Sequence, residues 1–217
     1  MKLKRIIIGV LSLALLFAMG CAAKETEKEK TDMENNNQHP IATITMEDGE
    51  TIVLELYPEV APISVANFIS LANSGFYDGV IFHRVIPGFM IQGGDPDGRG
   101  TGGPGYTIKG EFTNNHVQND ISHERGVISM ARQGNPYFPE MAYNTAGSQF
   151  FIMHEDGPFL DGDYAAFGRV IQGMDTVDRI ASCGTDGNDR PLEDQKMATV
   201  RVETFGVDYG EPEKIVR

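Results

Sequence analysis

Eight short runs of β-forming residues, none longer than seven, follow one another between Ile41 and Phe205. They are Ile41–Met46, Thr51–Leu56, Val80–Val85, Met90–Gln92, Val127–Met130, Gln149–Met153, Ala165–Val170 and Thr199–Phe205. Runs this short cannot stand alone; they gain stability only by pairing into a larger sheet. Turn residues separate them, and 25 of the 217 residues are glycine, well above the usual roughly 7%. Asp48-Gly49 between the first two runs is a hairpin signal. Only two stretches carry helical spacing. Pro62 opens the first, with Val65, Phe68, Ile69 and Ala72 on one face and Gly75 as its stop. The second covers Met174–Ala181, with Met174, Val177, Ile180 and Ala181 apolar. Many strands and two distant helices predict a mainly β protein, a closed or nearly closed barrel with helical caps.

The N-terminus reads as an address. Lys2, Lys4 and Arg5 precede a short apolar run, Ile6 to Ala18. That run is too short for a membrane span of about 20 residues but suits a signal peptide. The segment closes on Gly20-Cys21, which resembles the bacterial lipoprotein signal, with Cys21 the lipidated residue that becomes the new N-terminus on cleavage. An ordinary secretory signal with a coincidental Cys is the alternative. Residues 22–39 are polar and hold one large apolar residue, Met33, a composition that suits a disordered tether. The expected organisation is a signal segment at 1–20, a lipidated Cys and tether at 21–39, a barrel domain at 40–207 and a tail at 208–217. Cleavage would take the net charge of −13 three units further down. No basic patch would then hold the chain on anionic lipid, so anchoring falls to the acyl chains. The acidity also argues against a nucleic-acid binder, which needs a basic stripe.

Several reactive chemistries find no pattern. Gly98–Gly105 lacks the Lys-Ser/Thr ending of a phosphate loop. Asp95 and Asp97 do not continue into a calcium loop. The five histidines show no metal spacing, and no Gly-x-Ser-x-Gly elbow is present. Neither a metal nor a cofactor is expected. Cys183 is left as a small buried residue after the second helix.

Three ordered motifs carry a resemblance. The segment from Tyr77 to Gly94, which includes Phe82-His-Arg-Val85 and Gly88-Phe-Met-Ile-Gln92, is similar to the signature of the cyclophilins, the peptidyl-prolyl cis-trans isomerases. Gly147-Ser-Gln-Phe-Phe-Ile152 resembles a second motif of that family; Phe159-Leu-Asp-Gly162 with Phe167-Gly-Arg-Val170 resembles a third. The resemblance implies an eight-stranded antiparallel barrel closed by two helices.

It also implies a catalytic role for Arg84. Rotation about a prolyl bond breaks no covalent bond, so neither nucleophile nor general base is needed. The barrier of roughly 18–20 kcal/mol falls if the twisted amide is held better than the planar forms. A permanently charged donor near the prolyl nitrogen suits that task, and Arg is such a donor. The resemblance places Phe89, Met90, Phe151 and Leu160 on a proline pocket. It gives Gln92 a substrate backbone bond and the orientation of Arg84, with Gln149 close by. Ala131 and Arg132 follow, contributing mostly backbone groups. Phe159 stands where many relatives have Trp, and Tyr164 where many have His. Loss of the indole N–H implies weaker cyclosporin-type inhibition. Residues 133–146 form a longer loop than usual beside the groove. His83 follows Phe82 on a strand and points away from Arg84, as a core residue.

The expected partners are proline-containing peptides and unfolded exported proteins, and the membrane through Cys21. The expected location is extracytoplasmic, and the expected state a monomer. A peptide-binding module with the same fold but negligible catalysis is the second reading; it has no need for Arg84. A structural surface protein is the third, and it leaves the groove residues without a use.

Overall fold

The computed structural model describes residues 38–216. The expected signal segment, Cys21 and all but the last two residues of the tether lie outside them. Nine strands follow in order: β1 (Ile41–Met46), β2 (Thr51–Leu56), β3 (Ile81–Phe82), β4 (Arg84–Ile86), β5 (Met90–Gly93), β6 (Val127–Met130), β7 (Phe150–Met153), β8 (Ala166–Gln172) and β9 (Gln195–Glu203). Two helices accompany them, α1 (Pro62–Asn73) and α2 (Met174–Ala181).

The strands form one antiparallel sheet in the order β3-β9-β1-β2-β8-β6-β7-β5-β4. Its two ends, β3 and β4, are neighbours in sequence and separated by His83 alone. The chain itself therefore bridges the seam, and the sheet curls into a nearly closed barrel. This corrects the expected eight strands to nine. The run Val80–Val85 splits at His83, because its two halves pair with opposite ends of the sheet. The last strand begins at Gln195 rather than Thr199; the polar residues Gln195 and Lys196 extend it by pairing with β3. Gln149 lies just outside β7.

Alternation builds the core. In β1 and β2 every second residue is buried, with Ala42, Ile44 and Met46 against Ile52, Leu54 and Leu56. Gly49 turns the hairpin at φ +88°, a backbone state that glycine adopts without steric cost. Helix α1 packs against β9 and sends Phe68 into an aromatic cluster. Its ring lies 5.3 Å from Tyr77 and 5.5 Å from both Phe150 and Phe167. The expected face of Val65, Phe68, Ile69 and Ala72 is the buried one.

The two ends of α1 are held by different means. At the C-terminus, Gly75 N–H donates to Ala72 O and Phe76 N–H to Leu71 O, both at 3.0 Å. This is the Schellman pattern, with Gly75 at φ +79°. At the N-terminus, Ala61 offers no side-chain cap. Glu111 supplies it from a distant loop: its carboxylate accepts from Ile63 N–H at 2.9 Å, Ser64 N–H at 2.7 Å and Ser64 Oγ at 2.6 Å. A buried anion at a helix N-terminus meets both the free N–H groups and the positive end of the dipole. Helix α2 packs against β2, β4 and β5. Cys183, just past it, is half-buried rather than fully buried, which corrects the expectation; burial is still the main influence and pushes its thiol pKa up.

Candidate active site

The alternation that sends one set of side chains into the core sends the other to the outside. On β4, Val85 points inward while Arg84 and Ile86 do not. On β5 and β7, Ile91, Phe150 and Ile152 join the core, and Met90, Phe151 and Met153 join a second apolar cluster with Leu160 and Val127. Strand register aligns the outward set. Arg84 lies opposite Gln92, Gln92 opposite Phe151, and Phe151 opposite Ser129. The part of this row from Arg84 through Gln92 to Phe151 thus runs across three strands from a cation into an apolar pocket.

That pocket is a hollow of about 380 Å³. Met90, Phe151 and Leu160 form its floor and are almost fully buried. Phe89, Phe159, Ala131 and Tyr164 make the sides, and Arg84, Gln92 and Arg132 complete the lining. Ten of the eleven groove residues expected from the sequence meet here; the eleventh, Gln149, touches Gln92 from the neighbouring hollow. Phe159 stacks obliquely on Phe89 at 5.4 Å and is 70% exposed.

Polar bonds fix the cation. Arg84 Nη1 donates to Gln92 Oε1 at 3.4 Å. Gln92 Nε2 donates to Gln149 Oε1, and Gln149 Nε2 to Gly102 O, each at 3.0 Å. The chain of amides orients Gln92 so that its oxygen faces the guanidinium. On the other edge, Arg84 Nε lies 3.6 Å from Asp189 Oδ2. Asp189 sits at φ +63°, and its carbonyl accepts from Val85 N–H at 2.8 Å. Sequence reading missed Asp189, which reaches the site only because its loop docks on β4. Its one local signal is Asn188-Asp189, a pair that tolerates the left-handed state.

Arg132 does more than lend its backbone. Its guanidinium lies 4.6 Å over Tyr164, 5.4 Å over Tyr143 and 5.5 Å over Phe112, and Nε donates to Asp163 O at 3.0 Å. It ties the rim of the hollow to the loop of residues 133–146. That loop carries Tyr137, Phe138 and Met141 exposed to solvent, and closes at its base where Gln133 N–H donates to Thr145 Oγ1 at 2.9 Å.

Behind Phe151 stands a Ser-His-Asp constellation. His123 Nδ1 is 2.9 Å from Asp161 Oδ1, and His123 Nε2 is 3.1 Å from Ser129 Oγ. The His123 ring is stacked on Phe151 at 6.0 Å. Ser129 has no exposed surface, so no carbonyl can reach its hydroxyl, and the trio serves as a strut under the pocket wall. Burial lowers the His123 pKa and outweighs the opposing pull of Asp161. Burial pushes the Asp161 carboxyl up, but its bonds from the His123 backbone and ring hold it below the ordinary carboxylate range. His83 is buried, is not part of the hollow, and has neither ring nitrogen bonded among the described residues. Burial is the leading reason its pKa is lowered.

This architecture matches known proteins. The family model for cyclophilin type peptidyl-prolyl cis-trans isomerases matches residues 41–202. Peptidyl-prolyl cis-trans isomerase B of Bacillus subtilis is 55% identical over 130 residues, covering 60% of this chain and 82% of that one. A peptidyl-prolyl cis-trans isomerase of Synechococcus elongatus is 47% identical over 149 residues, 65% of this chain and 92% of its own. Among solved structures, a cyclophilin type isomerase of Cryptosporidium parvum, crystallised in the presence of the dipeptide Ala-Pro, has a TM-score of 0.64 at 32% identity and covers 75% of this chain and 98% of its own. The motifs, the barrel and the outward row of Arg84, Gln92 and Phe151 thus agree with one another, and the chain belongs to the cyclophilin-type peptidyl-prolyl cis-trans isomerases.

Proposed function

We propose that this isomerase acts on X–Pro bonds of exported, incompletely folded proteins, with Arg84 as its catalytic residue. The observation that carries this reading is the placement of Arg84, held between Gln92 and Asp189 at the mouth of an apolar hollow. A pyrrolidine ring on the floor of Met90, Phe151 and Leu160 is gripped by dispersion and burial. The acyl side is then free to turn. As the amide twists, its nitrogen gains a lone pair and accepts from the guanidinium, a bond available only near the transition state. Asp189 and Gln92 occupy one edge of the fork each, so the remaining N–H groups are presented without reorganisation. Gln92 is placed to bond the substrate backbone as well. The Ala-Pro dipeptide present with the Cryptosporidium relative fits this class of ligand.

The test is exchange NMR on an Ala-Pro peptide with no coupling protease. Catalysed exchange that vanishes in Arg84→Ala supports the reading. Tight binding with no catalysed exchange would favour the peptide-binding alternative.

The extracytoplasmic location rests on the sequence of the first 21 residues. Cys21 carries the lipid and residues 22–39 space the barrel from the membrane. Cys21→Ser is expected to leave unprocessed precursor, since cleavage in such systems follows lipidation. Normal processing and unchanged membrane fractionation of that variant would return the ordinary secretory signal.

A further inference from the structure

A second hollow, of about 630 Å³, adjoins the first and shares Gln92, Ala131 and Arg132 with it. Nearly half of its lining residues belong to the glycine-rich loop from Gly100 to Thr107, and Gln133, Thr145 and Gly147–Gln149 face that loop. One lining residue, Ile215, comes from the C-terminal tail. This residue lies beyond position 202, where the family match ends.

The tail is built into the barrel rather than hanging from it. Thr107 N–H donates to Ile215 O at 3.0 Å, and Ile215 N–H to Thr107 O at 2.7 Å. This reciprocal pair is an antiparallel bridge. The preceding residue, Lys214, places its ammonium 4.9 Å over the Tyr106 ring and 2.8 Å from Glu211. Glu211 in turn accepts from Ser70 Oγ of α1 at 3.2 Å. Tyr209 packs on the core and Pro212 is buried. The position of Ile215 is therefore fixed at four points along the tail.

We propose that Ile215 is a specificity-determining residue, through which the tail gives the second hollow an aliphatic wall. This rests on the isomerase reading above. A peptide whose proline occupies the first hollow must carry a neighbouring residue past the shared Gln92 and Ala131 into the second. Ile215 and Pro104 offer aliphatic surface there, beside the Tyr106 ring and amid Thr101, Thr145 and Gln149. The favoured clients carry a Leu-sized aliphatic side chain at that one flanking position. A charged side chain there loses water without gaining a partner.

The test uses the full chain and a set of proline peptides. Ala is replaced by Leu at each of the two positions on either side of proline, one at a time. The readout is the Leu/Ala ratio of kcat/KM. At one position the ratio for the wild type is expected to be about fivefold, a modest value for a half-exposed apolar contact. In Ile215→Ala it falls to about one, and Ile215→Val, which keeps the backbone bridge and most of the wall, lies between. A tail that matters only for folding would slow both peptides equally and leave the ratio as it was. That result, or a wild-type ratio near one at all four positions, overturns the proposal. Absence of any catalysed exchange in the wild type is a different failure and falls on the isomerase reading itself.

Discussion

Arg84→Ala is the perturbation whose size the structure best defines. The Arg84 side chain is 43% exposed, and its guanidinium has Gln92 at 3.4 Å on one edge and Asp189 at 3.6 Å on the other. A preorganised donor aimed at transition-state charge contributes roughly 2.7–4 kcal/mol. Partial exposure puts this one toward the lower end, about 3 kcal/mol, which is about a hundredfold in kcat/KM. The cost in stability is far smaller. A half-exposed ion pair contributes at most about 1 kcal/mol, so Tm is expected to fall by no more than about 4 °C. Asp189→Asn grades the effect. Asn tolerates the φ of +63° at this position, so the loop stays while the charge goes. The guanidinium remains but is held from one side only, and an intermediate loss of about fivefold is expected, carried by kcat. Exchange NMR without a coupling protease measures both variants, and thermal melts check the fold. An Arg84→Ala protein that melts normally and turns over within threefold of the wild type would refute the assignment of Arg84.

Other outcomes follow from the same structure. Glu111→Gln turns an acceptor into an N–H that faces the N–H groups of Ile63 and Ser64; it is expected to destabilise by about 2 kcal/mol, read by urea unfolding, and an unchanged midpoint would remove Glu111 as the cap of α1. His83 and His123 both have lowered pKa values, chiefly from burial. The unfolded chain therefore takes up protons as pH falls below about 6.5 while the folded one does not, and stability declines from there toward the lower folded values. Urea unfolding at pH 8, 6 and 5 is the check, and a stability that rises toward acid would be the contrary result. The rate on the folded protein is expected to stay nearly flat between about pH 6 and 9, because bond rotation transfers no proton; a bell-shaped specificity constant would point to an ionising group. Phe159→Trp is expected to strengthen cyclosporin-type inhibition, but the 70% exposure of Phe159 limits the gain to about 1 kcal/mol. Equal inhibition of the two proteins would remove the indole N–H from the explanation.

The sequence by itself determined the elements that rest on local periodicity. Alternation in Ile41–Met46 and Thr51–Leu56, the Asp48-Gly49 turn, and the α1 face ending at Gly75 all follow from side chains a few residues apart. The ordered motifs likewise carried the groove residues, because Arg84, Gln92 and Phe151 share a face whenever their strands pair in register. Tertiary structure alone decided what depends on segments meeting from far away. The break at His83 exists because the chain must cross the barrel seam there. Glu111 caps a helix 47 residues earlier, and the signal is invisible in a sequence where Ala61 precedes Pro62. Asp189 reaches Arg84, and Ile215 reaches Thr107, by loop docking that no spacing encodes. The physical reason is common to all four. A strand or helix advertises itself through its own period, whereas a meeting of distant segments is set by the path of the chain in space; for Glu111 and Asp189 the choice was wider still, since any of the chain's 31 acidic residues had the chemistry to be the acceptor.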